Sequence, residues 1–63
     1  MTDPFGDGGY WIVADELTDE HGRVMRVLYE CRYLVESGGG TAIVTERRWH
    51  DGEHASRDVE PID

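Results

Sequence analysis

One cysteine, three histidines, a set of adjacent carboxylates and one basic-aromatic cluster carry what chemistry this 63-residue sequence has to offer. Cys31 sits inside an alternating apolar stretch. A thiolate nucleophile needs a base and an electropositive setting beside it; His50 is the nearest candidate base, but the predicted strand pairing puts it on the opposite face, so Cys31 reads as a small core hydrophobe. His50 and His54, in the run Trp49-His50-Asp51-Gly52-Glu53-His54, have a spacing that suits two zinc ligands on a helix or around a turn. His21, Asp51 and Glu53 are available to add to them. Gly52 interrupts the run, however, and one cysteine with scattered histidines is not a metal signature, so these histidines read as solvated turn and tail residues. Neither a metal nor any other cofactor is expected. Asp15-Glu16 and Asp19-Glu20 do acid–base work only in a cleft that separates their pKa values, and a chain this small has no room for one. Asp3 and Asp7 lack the alternate-position spacing of a calcium loop. No catalytic residue is expected, and the chain reads as a non-enzyme.

Arg47, Arg48 and Trp49 form the basic-aromatic cluster. Such residues either stack on bases or anchor protein interfaces, where Trp and Arg are over-represented. The net charge of −8, from 14 acidic residues against six arginines and no lysine, repels a phosphate backbone. Direct nucleic-acid binding is therefore disfavoured, and the cluster joins Trp11, Tyr29 and Tyr33 as candidate contacts to a protein partner. The same acidity suits an alternative role, an acidic decoy that occupies the basic groove of a nucleic-acid-binding protein.

Size constrains the rest. A single domain of this length buries only about 60% of its unfolded surface, and small folds usually lean on disulfides, a metal or oligomerisation. Cys31 is the only cysteine, which excludes an internal disulfide. No apolar run is long enough to span a membrane. The acidic opening lacks the layout of a signal peptide, so the expected compartment is the cytoplasm, where a lone thiol stays reduced.

The elements that must position these residues are organised around residues 23–36, RVMRVLYECRYLVE. Met25, Val27, Tyr29, Cys31, Tyr33 and Val35 alternate with a mixed polar and apolar set. This period-two pattern of β-branched and aromatic residues predicts one long central strand. Residues 10–17 predict a strand before it, joined by a turn at 19–22 in which Gly22 takes a positive φ. Pairing Thr18 with Arg23 sets Ile12 against Tyr29 and Asp15 against Arg26. Residues 41–50 predict a third strand after a glycine loop at 38–40. That loop sets Arg32 against Glu46, Glu30 against Arg48 and Tyr29 against Trp49. A four-residue loop would place Cys31 against Glu46 and Tyr29 against Arg48, two charges on the apolar face, and is the less favoured register. Residues 1–9 read as a flexible leader from which Phe5 tucks onto the core edge, and 51–63 as an acidic flexible tail.

The opening Asp3-Pro4-Phe5, followed by glycine and a strand, is similar to the start of MbtH-like proteins, small partners of peptide-synthetase adenylation domains. The tryptophan-bearing motifs of that family are absent after Leu17, so its function is not carried over.

The sequence thus predicts an all-β fold: a three-stranded antiparallel meander over 10–50 with flexible ends. Such a meander has apolar residues on both faces and two unpaired edges, so oligomerisation or a partner must complete it. The expected function is a small acidic interaction module, acting as a homo-oligomer, with a homodimer foremost, or as an accessory subunit of a larger assembly, for example one of phage type.

Overall fold

The computed structural model describes residues 4–62. Asp3 and the rest of residues 1–3, together with Asp63, lie outside the described residues. The fold is an open, four-stranded antiparallel sheet in the order β1-β2-β3-β4, with no helix among the described residues. The strands are β1 (Ile12–Thr18), β2 (Val24–Ser37), β3 (Gly40–Trp49) and β4 (His54–Pro61). The all-β meander read from the alternation is therefore present, with one strand more than predicted.

The added strand corrects the tail. His54–Pro61 pairs with β3 from Arg48↔His54 to Ala42↔Pro61, because the turn before it is a good hairpin closure. The Gly52 N–H donates to the Trp49 carbonyl at 2.8 Å and the Trp49 N–H to the Glu53 carbonyl at 2.9 Å. Gly52 takes φ 94°, the left-handed conformation that closes a three-residue hairpin loop with a bulge. The first turn repeats this geometry: Gly22 donates to the Asp19 carbonyl, Asp19 to the Arg23 carbonyl, and Gly22 has φ 81°.

Both predicted registers shift. Between β2 and β3 the two-residue loop of Gly38 and Gly39 closes on Ser37↔Gly40 and sets Cys31 against Glu46 and Tyr29 against Arg48. The predicted Arg32–Glu46 and Glu30–Arg48 pairs are replaced by Glu30↔Arg47 and Arg32↔Thr45. The two charges on the apolar face are accommodated because segments read as loose partner them. Glu46 meets Arg57 of β4 at 3.6 Å and Arg48 at 3.5 Å, and Arg48 meets Asp7 of the leader at 3.8 Å. Between β1 and β2, register shifts at Val13/Asp15 and Leu17/Thr18 replace the single register. Val13 then faces Tyr29, Ile12 faces Glu30 and Asp15 faces Leu28.

These registers define two faces. Face A carries Val13, Val27, Tyr29, Cys31, Tyr33, Val35, Val44, Glu46, Arg48 and Val59; face B carries Ile12, Asp15, Leu17, Arg26, Leu28, Glu30, Leu34, Ile43, Arg47 and Trp49. The leader folds back over face A. Phe5 lies edge-on to Trp11 at 4.8 Å and to Tyr29 at 5.8 Å. The only buried hydrophobic residues among those described are Trp11, Cys31 and Val44, all on this face. The sheet is long and thin, 50 × 21 × 18 Å, with a radius of gyration of 14.1 Å. A compact domain of this length has a radius nearer to ~10.6 Å, so the chain spreads its surface instead of closing around a core.

Candidate interaction surface

The six candidate partner contacts separate onto the two faces. Trp11 is 5% exposed, sealed by Phe5, with its indole N–H donating to Asp7 Oδ1 at 3.2 Å. Tyr29 lies partly under Phe5. The Arg48 guanidinium sits 5.3 Å from the Trp11 ring centroid and 5.5 Å from that of Phe5. These three side chains are occupied by the chain's own packing. The shift of the β1 register explains this for Trp11: it places Trp11, not Tyr10, over face A, and Tyr10 is left exposed. Tyr33 remains accessible at the glycine-loop end of face A, where its hydroxyl donates to Glu46 Oε1. That bond, followed by burial, raises the Tyr33 phenol above its ordinary pKa.

Arg47 and Trp49 are on face B. Arg47 pairs with Glu30 at 2.9 Å and reaches Asp58 at 3.6 Å. Arg26 lies over the Trp49 ring at 4.2 Å and also reaches Glu53 at 3.0 Å and Asp51 at 3.4 Å. No element covers this face among the described residues. Ile12, Leu17, Val24 and Leu34 are exposed on it, Leu34 to 65%, around the half-buried Leu28, Ile43 and Trp49. The even positions of β2 already signalled Val24, Leu28 and Leu34; Ile43 was hidden by the one-residue difference in the β2–β3 register.

Each of the six arginines has an acidic partner within salt-bridge range. Among the described residues, Asp15 and Glu16 on β1, Glu36 on β2 and Glu60 on β4 have no arginine within ion-pair range, and they lie at or near the sheet margins. The face itself is thus apolar ground crossed by neutralised ion pairs.

The groups considered for chemistry stay apart. Cys31 is buried opposite Glu46. His50 accepts from the Val27 N–H through Nδ1 at 3.2 Å, four residues along β2 from Cys31, or about 13 Å at the usual strand rise. Among the described residues no group of three or more His, Cys, Asp or Glu is placed to hold a metal, and no helix is long and apolar enough to cross a membrane.

No family model matches the chain, and neither a curated protein nor a solved structure matches it significantly. The role of the surface has to be read from its own residues.

Proposed function

We propose that this chain is a small non-enzymatic protein-interaction module of the cytoplasm, acting as a homo-oligomer or as an accessory subunit, with face B as its contact surface. The observation that carries the reading is the one-sided burial. Every buried hydrophobic residue among those described, Trp11, Cys31 and Val44, lies on face A, where Phe5 of the leader covers Trp11 and Tyr29, while Ile12, Leu17, Val24 and Leu34 stay exposed on face B beside the half-buried Leu28, Ile43 and Trp49. Exposed apolar residues in this number on one face, here in two groups either side of the Glu30–Arg47 ion pair, mark interaction sites. Trp49 under Arg26 supplies the aromatic–arginine anchor that interface centres favour. The fully paired arginines support a contact driven by apolar burial, with the charges setting orientation.

Assembly of the folded chain is the test. Solution mass and urea unfolding of the purified protein are measured across the micromolar range, with and without added salt. An assembled species whose unfolding midpoint rises with concentration supports the reading. A monomer that unfolds cooperatively at the same midpoint throughout overturns it. Partner binding that collapses with salt would move the assignment to the acidic margins, as the decoy role requires.

A further inference from the structure

The sheet has a free edge in its interior strand. β2 runs to Ser37, but β1 pairs with it only as far as Glu30. Beyond that point β2 has a neighbour on the β3 side alone. The His50 N–H donates to the Val27 carbonyl, so the odd residues of β2 direct their backbone groups at β3. By the alternation of antiparallel pairing, Arg32, Leu34 and Glu36 then point theirs outward.

The other two edges are blunted. β1 is irregular at Val13/Asp15 and carries Asp15 and Glu16; β4 carries Arg57, Asp58 and Glu60, has a register shift near His54 and ends at Pro61. Bulges, charges and proline are the usual means of keeping an edge from pairing. The β2 edge has none of these at its centre, where Tyr33, Leu34 and Val35 are all exposed.

The geometry points to a second copy of this chain as the strand that completes this edge, paired antiparallel about a two-fold axis at Leu34. The edge is self-complementary in that register. Leu34 meets Leu34 of the second copy, Arg32 meets its Glu36, and Glu36 meets its Arg32, all on face B. On face A Tyr33 meets Val35, and Val35 meets Tyr33. Moving the axis to Val35 sets Leu34 against Glu36, and moving it to Tyr33 sets Arg32 against Leu34. Only the axis at Leu34 matches charge with charge and apolar with apolar. Arg32 leans on Glu30 at 3.6 Å and stays open to a second carboxylate; Glu36 has no ion-pair partner among the described residues. The pairing forms on the order of six backbone hydrogen bonds and joins two four-stranded sheets into one. Tyr10, which shares a notch with Arg32, is exposed and has no backbone bond to β2, so it moves aside for the end of the incoming strand. Gly38 and Gly39, at the tip of that strand, bring no side chains into the notch.

This inference rests on the reading of the chain as an interaction module but assigns a different surface, and residue-resolved amide exchange separates the two. Exchange of the full chain is followed by NMR at a low and a high concentration alongside solution mass. In the dimer the Leu34 and Glu36 amides become protected at least tenfold, while those of Tyr33 and Val35, bonded to β3, are protected at both concentrations. Arg32→Glu and Glu36→Arg each weaken the dimer about tenfold, and the double exchange restores it. A dimer in which Leu34 and Glu36 still exchange as open amides overturns the edge pairing and leaves the module reading standing. A chain that stays monomeric throughout overturns the edge pairing; it overturns the module reading as well only if that monomer also unfolds cooperatively at one midpoint at every concentration.

Discussion

The guanidinium of Arg26 lies 4.2 Å from the ring centroid of Trp49 while its Nη2 reaches Glu53 at 3.0 Å. One side chain from β2 thereby holds the aromatic at the end of β3 and the acidic turn that starts β4. Stacking at a partly exposed site contributes about 0.5–1 kcal/mol, and surface ion pairs less than about 1 kcal/mol each. Arg26→Ala is expected to cost about 1 kcal/mol in urea unfolding and to red-shift Trp49 emission. Arg26→Lys, which keeps the charge and loses the flat stack, is expected to fall between the two.

Gly9 is the tightest point of the leader. A Cβ there would lie 2.7 Å from the indole nitrogen of Trp11 and 3.0 Å from Asp7 Oδ1. The same Oδ1 accepts from the Gly9 N–H at 2.9 Å and from Trp11 at 3.2 Å. Gly9→Ala is therefore expected to break the Asp7–Trp11 bond and lift the leader off face A, at about 1–3 kcal/mol. The check is unfolding free energy together with quenching of Trp11 by iodide, which rises if the leader detaches.

Asp19 and Asp51 occupy the two equivalent turns and respond to pH in the same sense. The Arg23 backbone N–H holds the Asp19 carboxyl below its ordinary value, with the His21 N–H and the Arg23 side chain adding to it. Asp51 is lowered first by the Glu53 N–H and then by Arg26. Carboxyls with depressed folded-state pKa values add stability that is complete above the unfolded value of about 3.9 and is lost as pH falls through the folded values. Thermal midpoints are expected to drop below about pH 4. In Asp19→Asn/Asp51→Asn, which keeps an acceptor and cannot titrate, that drop should be smaller.

Tyr33 carries the opposite signature. Its hydroxyl donates to Glu46, which favours the neutral phenol and raises its pKa. Stability from this bond is complete below the unfolded value of about 10 and is lost as pH rises through the folded one. Ultraviolet titration should show Tyr33 ionising above the ordinary phenol range. Glu46→Gln should bring that titration down, whereas Tyr33→Phe should remove it from the profile.

Gly22 and Gly52 close their turns at φ 81° and 94°. Alanine in that region costs about 1–2 kcal/mol. Gly52→Ala is expected to free β4, shown by fast amide exchange over 54–61, with β1–β3 still paired. Gly22→Ala should do the same to β1.

The alternation in β2 and the glycine turns made the meander readable, because period-two burial and left-handed turn residues act over short stretches of chain. Cys31 as a core residue and Phe5 as a cap were readable in the sequence: one sits at an apolar position of a long strand, the other is the one large apolar residue of a leader rich in Gly and Asp. The registers were not. Glu46 and Arg48 look misplaced on face A until Arg57 and Asp7 are seen to meet them, and both partners lie in segments whose composition reads as unstructured. Within β4, HASRDVEP, the apolar positions are too few to show an alternation. The interface residues divided in the same way: the one-residue change of the β2–β3 register moved Trp49 to the open face and Arg48 under the leader, and the irregular β1–β2 register brought Trp11 there.

Because each strand hydrogen-bonds only to its neighbours along the chain, no step of assembly has to bring distant segments together. Every pairing closes a loop of a few residues, which carries little entropic cost, and isolated hairpins of this kind form in about 1–10 µs. The sheet can therefore zip outward from the Gly38-Gly39 loop toward both ends, and its contacts are local for an all-β chain, which favours fast folding. The order also means that β1 and β4 never touch, so fraying at one end of the meander has no direct path to the other. Opening is graded from the margins inward, with the β2–β3 pair the last to come apart.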